Sequence, residues 1–150
     1  MHNHEPSQYD CPFCRMVNGE MDRANEVVFE SEQSLVCIGL HNHEHSGPTF
    51  LVVPKVHVEN IYDIEDELFT HLHLLSKHVA MRMRQLWNTQ GISVWQNNEQ
   101  EGSQDVWHFH IHVKARFVND RIYSSKVVRT PINQKMLWAN ELRTNFLNTP

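Results

Sequence analysis

The chain has 150 residues, 40% of them hydrophobic and 9% aromatic, so one domain with an ordinary core is expected. A formal charge of −5 gives no electrostatic case for nonspecific nucleic-acid binding, and the longest apolar runs are too short to cross a membrane. Residues 1–10, MHNHEPSQYD, lack the basic and apolar segments of a signal peptide, so a soluble, cytoplasmic protein is expected.

Residues 1–9 read as a loose tail. The stretch CPFCRMV predicts a turn and a short helical piece. EVVFE and SLVCIGL read as strands, with Cys37 as a small buried strand residue. HNHEHSGP, with histidines at 41, 43 and 45, has the composition of a turn or cleft mouth and leads into the strand TFLVVP, which Pro54 ends. Leu68, Leu72, Leu75, Val79, Met83 and Leu86 then recur every three or four residues, as in an amphipathic helix. Its His71, His73 and His78 are expected on the exposed side. GISVWQ returns to strand, NNEQEGSQ is a polar loop, and Trp138, Leu142 and Phe146 mark a C-terminal helix. Trp95 and Trp107 are expected in the core. Short connections between strands imply antiparallel pairing and an α+β architecture.

The stretch DVWHFHIHVKARF, residues 105–117, carries the chemistry. His108, His110 and His112 alternate with Phe109, Ile111 and Val113, so on a strand the imidazoles share one face. Residues i and i+4 of a strand lie ~13 Å apart at a rise of ~3.3 Å, so one metal ion held by all three is disfavoured and separate roles are expected. A metal-dependent hydrolase that uses the three as ligands is nevertheless a distinct alternative. Cys11 and Cys14 form C-x-x-C, half of a tetrahedral zinc site or a pair of reduced thiols near a turn. No strand precedes the motif, which argues against thioredoxin-like redox chemistry. Forty-two residues separate Cys14 from His57 and fifty separate His57 from His108, spacings that match no compact zinc finger.

HFHIHV resembles the H-φ-H-φ-H-φ-φ motif of the histidine triad (HIT) family of nucleotide hydrolases and transferases. CPFCRMVNGE with EVVFESEQSLVCI is similar to the start of zinc-containing bacterial members. TFLVVPKVHVENIYDI is similar to their strand-to-helix segment, and VWQNNEQEGSQDVWHFHIHVKARF to the block holding the triad. The resemblance covers residues 10–118 as a HIT domain, leaving 1–9 as a flexible tail and 119–150 as a C-terminal extension whose helix packs on the same domain. It implies a HIT-like fold, an antiparallel sheet with one long helix and a C-terminal helix. It also implies an enzyme, with His110 the nucleophile that forms a nucleotidyl-imidazole intermediate on the α-phosphorus and His112 facing the transferring phosphate. Imidazole suits this task, being nucleophilic when neutral and a good leaving group from phosphorus. Asn97, Gln104 and Asp105 would stand at the substrate. Cys11, Cys14, His57 and His108 would hold a structural Zn²⁺. A homodimer is also implied.

Two departures qualify that picture. The family's Gly-Gln-Ser/Thr-Val reads Ser103-Gln104-Asp105-Val106 here, and an ionised Asp105 cannot donate to phosphate. Glu99 replaces a usual glycine and adds a second negative charge near the phosphate loop, while Lys114 stands in an unusual place, on the histidine side if the strand stays regular. These features keep open a catalytically weak nucleotide-binding or regulatory protein of the same fold.

Overall fold

Residues 3–21 and 24–147 are described by the structure, a computed structural model. Seven strands and three α-helices follow one another: α1 (Pro12–Val17), β1 (Val27–Glu30), β2 (Ser34–Ile38), β3 (His41–His43), β4 (Thr49–Pro54), α2 (Asp66–Trp87), β5 (Gly91–Gln96), β6 (Ile111–Arg116), β7 (Val127–Arg129) and α3 (Ile132–Leu147). Five strands form one sheet in the order β1-β2-β4-β6-β5, every pair antiparallel. The α+β architecture with one long helix and a C-terminal helix is as the sequence implies.

The sheet is covered on both faces, which is why all five residues of β2 are buried. Alternation sends Val36, Ile38, Phe50, Val52, Ile111 and Val113 to one face, where they meet Leu72, Leu75, Val79 and Met83 of α2. It sends Leu35, Cys37 and Val53 to the other, where Phe13 and Met16 of α1 lie over them. Asp66 and Glu67 in the first turn of α2 complement its dipole. Asn88, left-handed at φ +47°, ends it.

Two short segments escape the sequence pattern. His41–His43, expected as turn, is strand β3 and pairs with β7 from the extension. A three-residue strand with a partner over eighty positions away has no local signature. The triad segment, expected to be strand throughout, enters the ladder only at Ile111. Its neighbour β4 ends at Pro54, and the Phe109 amide donates instead to Val58 O at 2.7 Å.

The family-like region does not close the core alone. Ala139 and Leu142 of α3 are fully buried in the same cluster as α2 and β6, and Trp87 Nε1 donates to Glu141 Oε2 at 2.8 Å. A buried ion pair joins Lys135 to Glu26. Residues 3–9, expected to be loose, make a chain of contacts. The Glu59 carboxylate accepts from the amides of His4 (2.6 Å) and Glu5 (3.2 Å), and Asn60 donates to Asn3 (2.8 Å).

Leu142→Ala is expected to lower the unfolding free energy by about 3 kcal/mol, as for a large-to-small change inside a core. Denaturant titration checks this, since a helix merely appended to the domain would change little.

Candidate functional site

The site is built from the last residues before β6 and from α1. Cys11 is the N-cap of α1 and Pro12 its first residue. This brings both sulfurs of C-x-x-C toward His108. His108 Nδ1 lies 3.3 Å from Cys11 Sγ and 3.6 Å from Cys14 Sγ, and His57 Nδ1 lies 3.1 Å from Cys14 Sγ. The four donor atoms all fall within 4.8 Å of one another. Each histidine is turned by its far nitrogen. His108 Nε2 donates to Pro54 O at 3.0 Å, and His57 Nε2 to Glu5 Oε2 at 2.8 Å. In the neutral form of each ring this leaves Nδ1 as the nitrogen turned to the sulfurs. Two thiols and two imidazoles so oriented fit a tetrahedral metal with every position filled by protein.

Burial pushes the Cys14 thiol up to about 12, with Cys11 adding to the effect. A divalent cation reverses that preference by favouring the thiolates. Burial also holds His108 down to about 4, so its imidazole is neutral and able to ligate.

The same residue positions the next one. His108 O accepts from His110 Nδ1 at 2.7 Å. A carbonyl can only accept, so the hydrogen of neutral His110 sits on Nδ1 and the lone pair on Nε2. His110 is 3% exposed, and burial holds its pKa below the ordinary histidine value. Phe13 packs beside both rings, with centroids 5.5 Å from His108 and 5.2 Å from His110.

His110 lines a cavity of about 220 Å³ between α1 and β4, together with Phe13, Leu40, His41, Thr49, Asp105 and His112 among others, and its Nε2 lies 3.9 Å from Asp105 in that lining. Larger hollows of about 410 and 610 Å³ lie beside His57 and along β5, but His110 lines neither. His112 stacks on Trp95 at 4.7 Å and 6°. Trp95 thus supports the triad where sequence reading placed it in the core. His112 Nε2 is buried with no hydrogen-bond partner among the described residues. An orphaned polar atom in a cavity wall costs free energy unless a ligand meets it. Burial, with His110 and Lys114 adding, pushes His112 down to about 3.

The remaining expected residues lie differently. Gln104 is buried and its amide is committed: Nε2 donates to Glu59 O (2.7 Å) and Val106 O (3.1 Å), while Oε1 accepts from the Glu99 amide (2.7 Å). Asn97 Nδ2 closes its own loop on Ser103 O at 3.0 Å. Neither lines the cavity, because these amides satisfy backbone carbonyls, those of Ser103 and Val106 nearby and of Glu59 across the fold. Glu99 points away from the cavity, accepting from Tyr62 OH at 3.0 Å and lying 3.0 Å from His4 Nε2. Asp105 does reach the site, with Oδ1 3.9 Å from His110 Nε2.

Lys114 is on the histidine face, as regular alternation requires, but its ammonium is fully buried behind Thr49. It donates to Thr49 Oγ1 (3.1 Å), Gly47 O (3.2 Å) and Asn42 Oδ1. A Cβ on Gly47 would lie 2.5 Å from Phe117 Cε2, so only glycine lets this carbonyl come so close. Burial lowers the Lys114 pKa to about 8. Sequence reading missed Asn42, Gly47 and Thr49, and Thr49 alone offered a signal, as a polar residue opening an apolar strand.

A model of the HIT domain matches residues 21–119. The chain belongs to the HIT family. "Protein hit" of Bacillus subtilis is 32% identical over 109 residues, 72% of each chain. A Zn-bound histidine triad family protein from Mycobacterium smegmatis superposes with a TM-score of 0.77 at 22% identity, covering 92% of this chain and 94% of that one. Plasmodium falciparum diadenosine triphosphate hydrolase superposes at 0.71, also at 22% identity, covering 84% and 79%. Among the described residues no helix of this HIT protein is long and apolar enough to cross a membrane.

The depressed His112 sets a pH dependence. Its folded pKa is about 3 against about 6.5 unfolded, so the unfolded chain takes up the proton first as pH falls. Its neutral burial therefore destabilises the fold increasingly below pH ~6.5, by at most about 1.4 kcal/mol per pH unit, until the folded pKa is reached. Denaturant midpoints between pH 7 and 4 should fall less steeply for His112→Gln than for the unaltered protein.

Proposed function

We propose that this protein is a nucleotidyl hydrolase or transferase in which His110 is the nucleophile. One observation carries the reading. The His110 Nδ1 hydrogen is bound to His108 O at 2.7 Å, which leaves Nε2 unprotonated in a ring that lines a cavity. Its depressed pKa keeps that nitrogen neutral at physiological pH. The Nε2 lone pair attacks the α-phosphorus, and the bond to the leaving group breaks with its electron pair going to that group. The resulting imidazolium is stabilised through Nδ1–H by the same carbonyl. Water then attacks phosphorus, the P–N bond breaks back to Nε2, and a nucleoside monophosphate is released. His112 Nε2, unpaired among the described residues, donates to a non-bridging phosphate oxygen. The hydrolase among the structural relatives, together with the family resemblance, supports a phosphoanhydride or phosphoramidate of a nucleotide as substrate.

The metal is proposed to be zinc, supported by the Cys11, Cys14, His57 and His108 cluster and by the zinc-bound relative. Zinc there would supply a crosslink between α1 and the triad segment and would activate no water. Glu5 orients His57 for it from the N-terminal stretch. A cytoplasmic homodimer that pairs through α2 and the β5 edge, where Val94 is 49% exposed, completes the proposal on the strength of the resemblance.

A second reading has its own support. Asp105 Oδ1, 3.9 Å from the attacking nitrogen, opposes an anionic phosphate and favours a protein that binds nucleotide with little turnover.

Incubation with adenosine and guanosine phosphoramidates and polyphosphates, followed by intact-protein mass measurement, separates the two. The enzyme reading expects a nucleotidyl adduct that His110→Ala lacks, with kcat reduced by at least about 10³-fold. Nucleotide binding without adduct or turnover supports the second reading. For the metal, Glu5→Gln should weaken zinc binding about tenfold in chelator competition, with two thiolates still engaged. Unchanged affinity would remove Glu5 from that role.

A further inference from the structure

Asp105 replaces the hydrogen-bond donor expected at its position and is, among the described residues, the one acidic side chain lining the cavity before His110. Among the described residues no lysine or arginine lines that cavity, and the nearby Lys114 ammonium is enclosed behind Thr49 by three oxygen acceptors. The Asp105 side chain is 79% exposed, at the mouth, and its oxygen lies 3.9 Å from His110 Nε2. In-line displacement puts the leaving group on the side of phosphorus opposite Nε2, and a flexible leaving group several bonds long can fold back to a carboxylate as exposed as Asp105. A phosphate chain folding back there would meet a carboxylate and no cationic side chain to balance it, whereas sites for polyphosphates ordinarily supply arginine, lysine or a metal ion.

We propose that Asp105 is a specificity-determining residue that selects nucleotides whose leaving group carries a positive charge, such as a phosphoramidate of a diamine, over those that release a phosphate chain. The inference rests on the nucleotidyl-transfer reading and names its substrate class. In the step, His110 Nε2 bonds to phosphorus while the P–N bond breaks. The amine departs with that electron pair and takes a proton from water at the open mouth. Its distal ammonium stays paired with Asp105 as charge develops. Solvent screens a carboxylate this exposed, so the preference is modest, about two- to fivefold for one charge.

The test compares adenosine phosphoramidates of propylamine and of diaminopropane, similar in size and differing by one charge, with diadenosine triphosphate as the anionic case. In the unaltered protein kcat/KM for the diamine compound should exceed that for propylamine two- to fivefold, and the gap should shrink with added salt. Asp105→Asn should bring the two together and raise diadenosine triphosphate by a similar factor. Unaltered ratios in Asp105→Asn overturn the proposal. An equal fall for all three substrates also overturns it, because Asp105 would then act on the nucleophile. Equilibrium binding of the two phosphoramidates to His110→Ala, with and without Asp105→Asn, reads the discrimination without turnover. A ranking that depends on Asp105 in binding, with no adduct in the unaltered protein, sinks the transfer reading and reduces Asp105 to a selector of ligand charge. A flat ranking sinks the proposal itself.

Discussion

His108 is the residue on which the rest depends. Its side chain fits between two cysteine sulfurs and the Pro54 carbonyl, and its own carbonyl holds the Nδ1 hydrogen of His110. One residue therefore couples the metal-type cluster to the tautomer of the nucleophile through a single backbone hydrogen bond. No carboxylate is needed to orient His110, because a carbonyl acceptor at 2.7 Å selects the tautomer without adding charge. The arrangement requires the chain to leave the ladder before Ile111. Inside a regular ladder the His108 carbonyl would be taken by a neighbouring strand.

Burial does the electrostatic work at the triad. All three imidazoles are held below their ordinary pKa, with desolvation the first cause each time. Trp95 covers His112, and the cover of His108 and His110 comes from α1, a helix of only six residues that has little stability of its own. Its place over the sheet is held by Phe13 and Met16 in the second apolar cluster and by Cys11 and Cys14 against His108. Stretch 3–9 and the Glu59 carboxylate brace the outer side of His57. A fourth alternating position, Lys114, carries an ammonium deep in the protein with neutral oxygens on all three hydrogens, so its charge reaches the site without its side chain doing so.

Most of the frame was legible because it rests on periodicity. The 3.6 period of α2, the alternation through the triad, and the i, i+4, i+8 apolar series of α3 follow from one face meeting a core, while the short apolar runs of β2 and β4 follow from burial on both faces. The triad was legible as a motif, and the four-donor cluster as a resemblance, although spacing alone could not join Cys14, His57 and His108. Asn97, Gln104 and Glu99 were the weaker part. Polar loop residues can turn to solvent, substrate or backbone, and here the loop's own carbonyls and amides claim Asn97 and Gln104. Strands β3 and β7 went unseen because their pairing is nonlocal and each is only three residues long.

By itself the sequence determined which side chains share a face, since the two-residue and 3.6-residue repeats are properties of the backbone that neighbours cannot alter. It thus placed His108, His110 and His112 together, opposite Phe109, Ile111 and Val113. Only the tertiary structure decided what each imidazole meets: sulfur and a proline carbonyl for His108, a backbone carbonyl and a cavity for His110, a tryptophan face and, among the described residues, no hydrogen-bond partner at Nε2 for His112. Those contacts join residues up to ninety-seven positions apart, and hydrogen-bond geometry at such range is set by how layers pack, which no local pattern encodes.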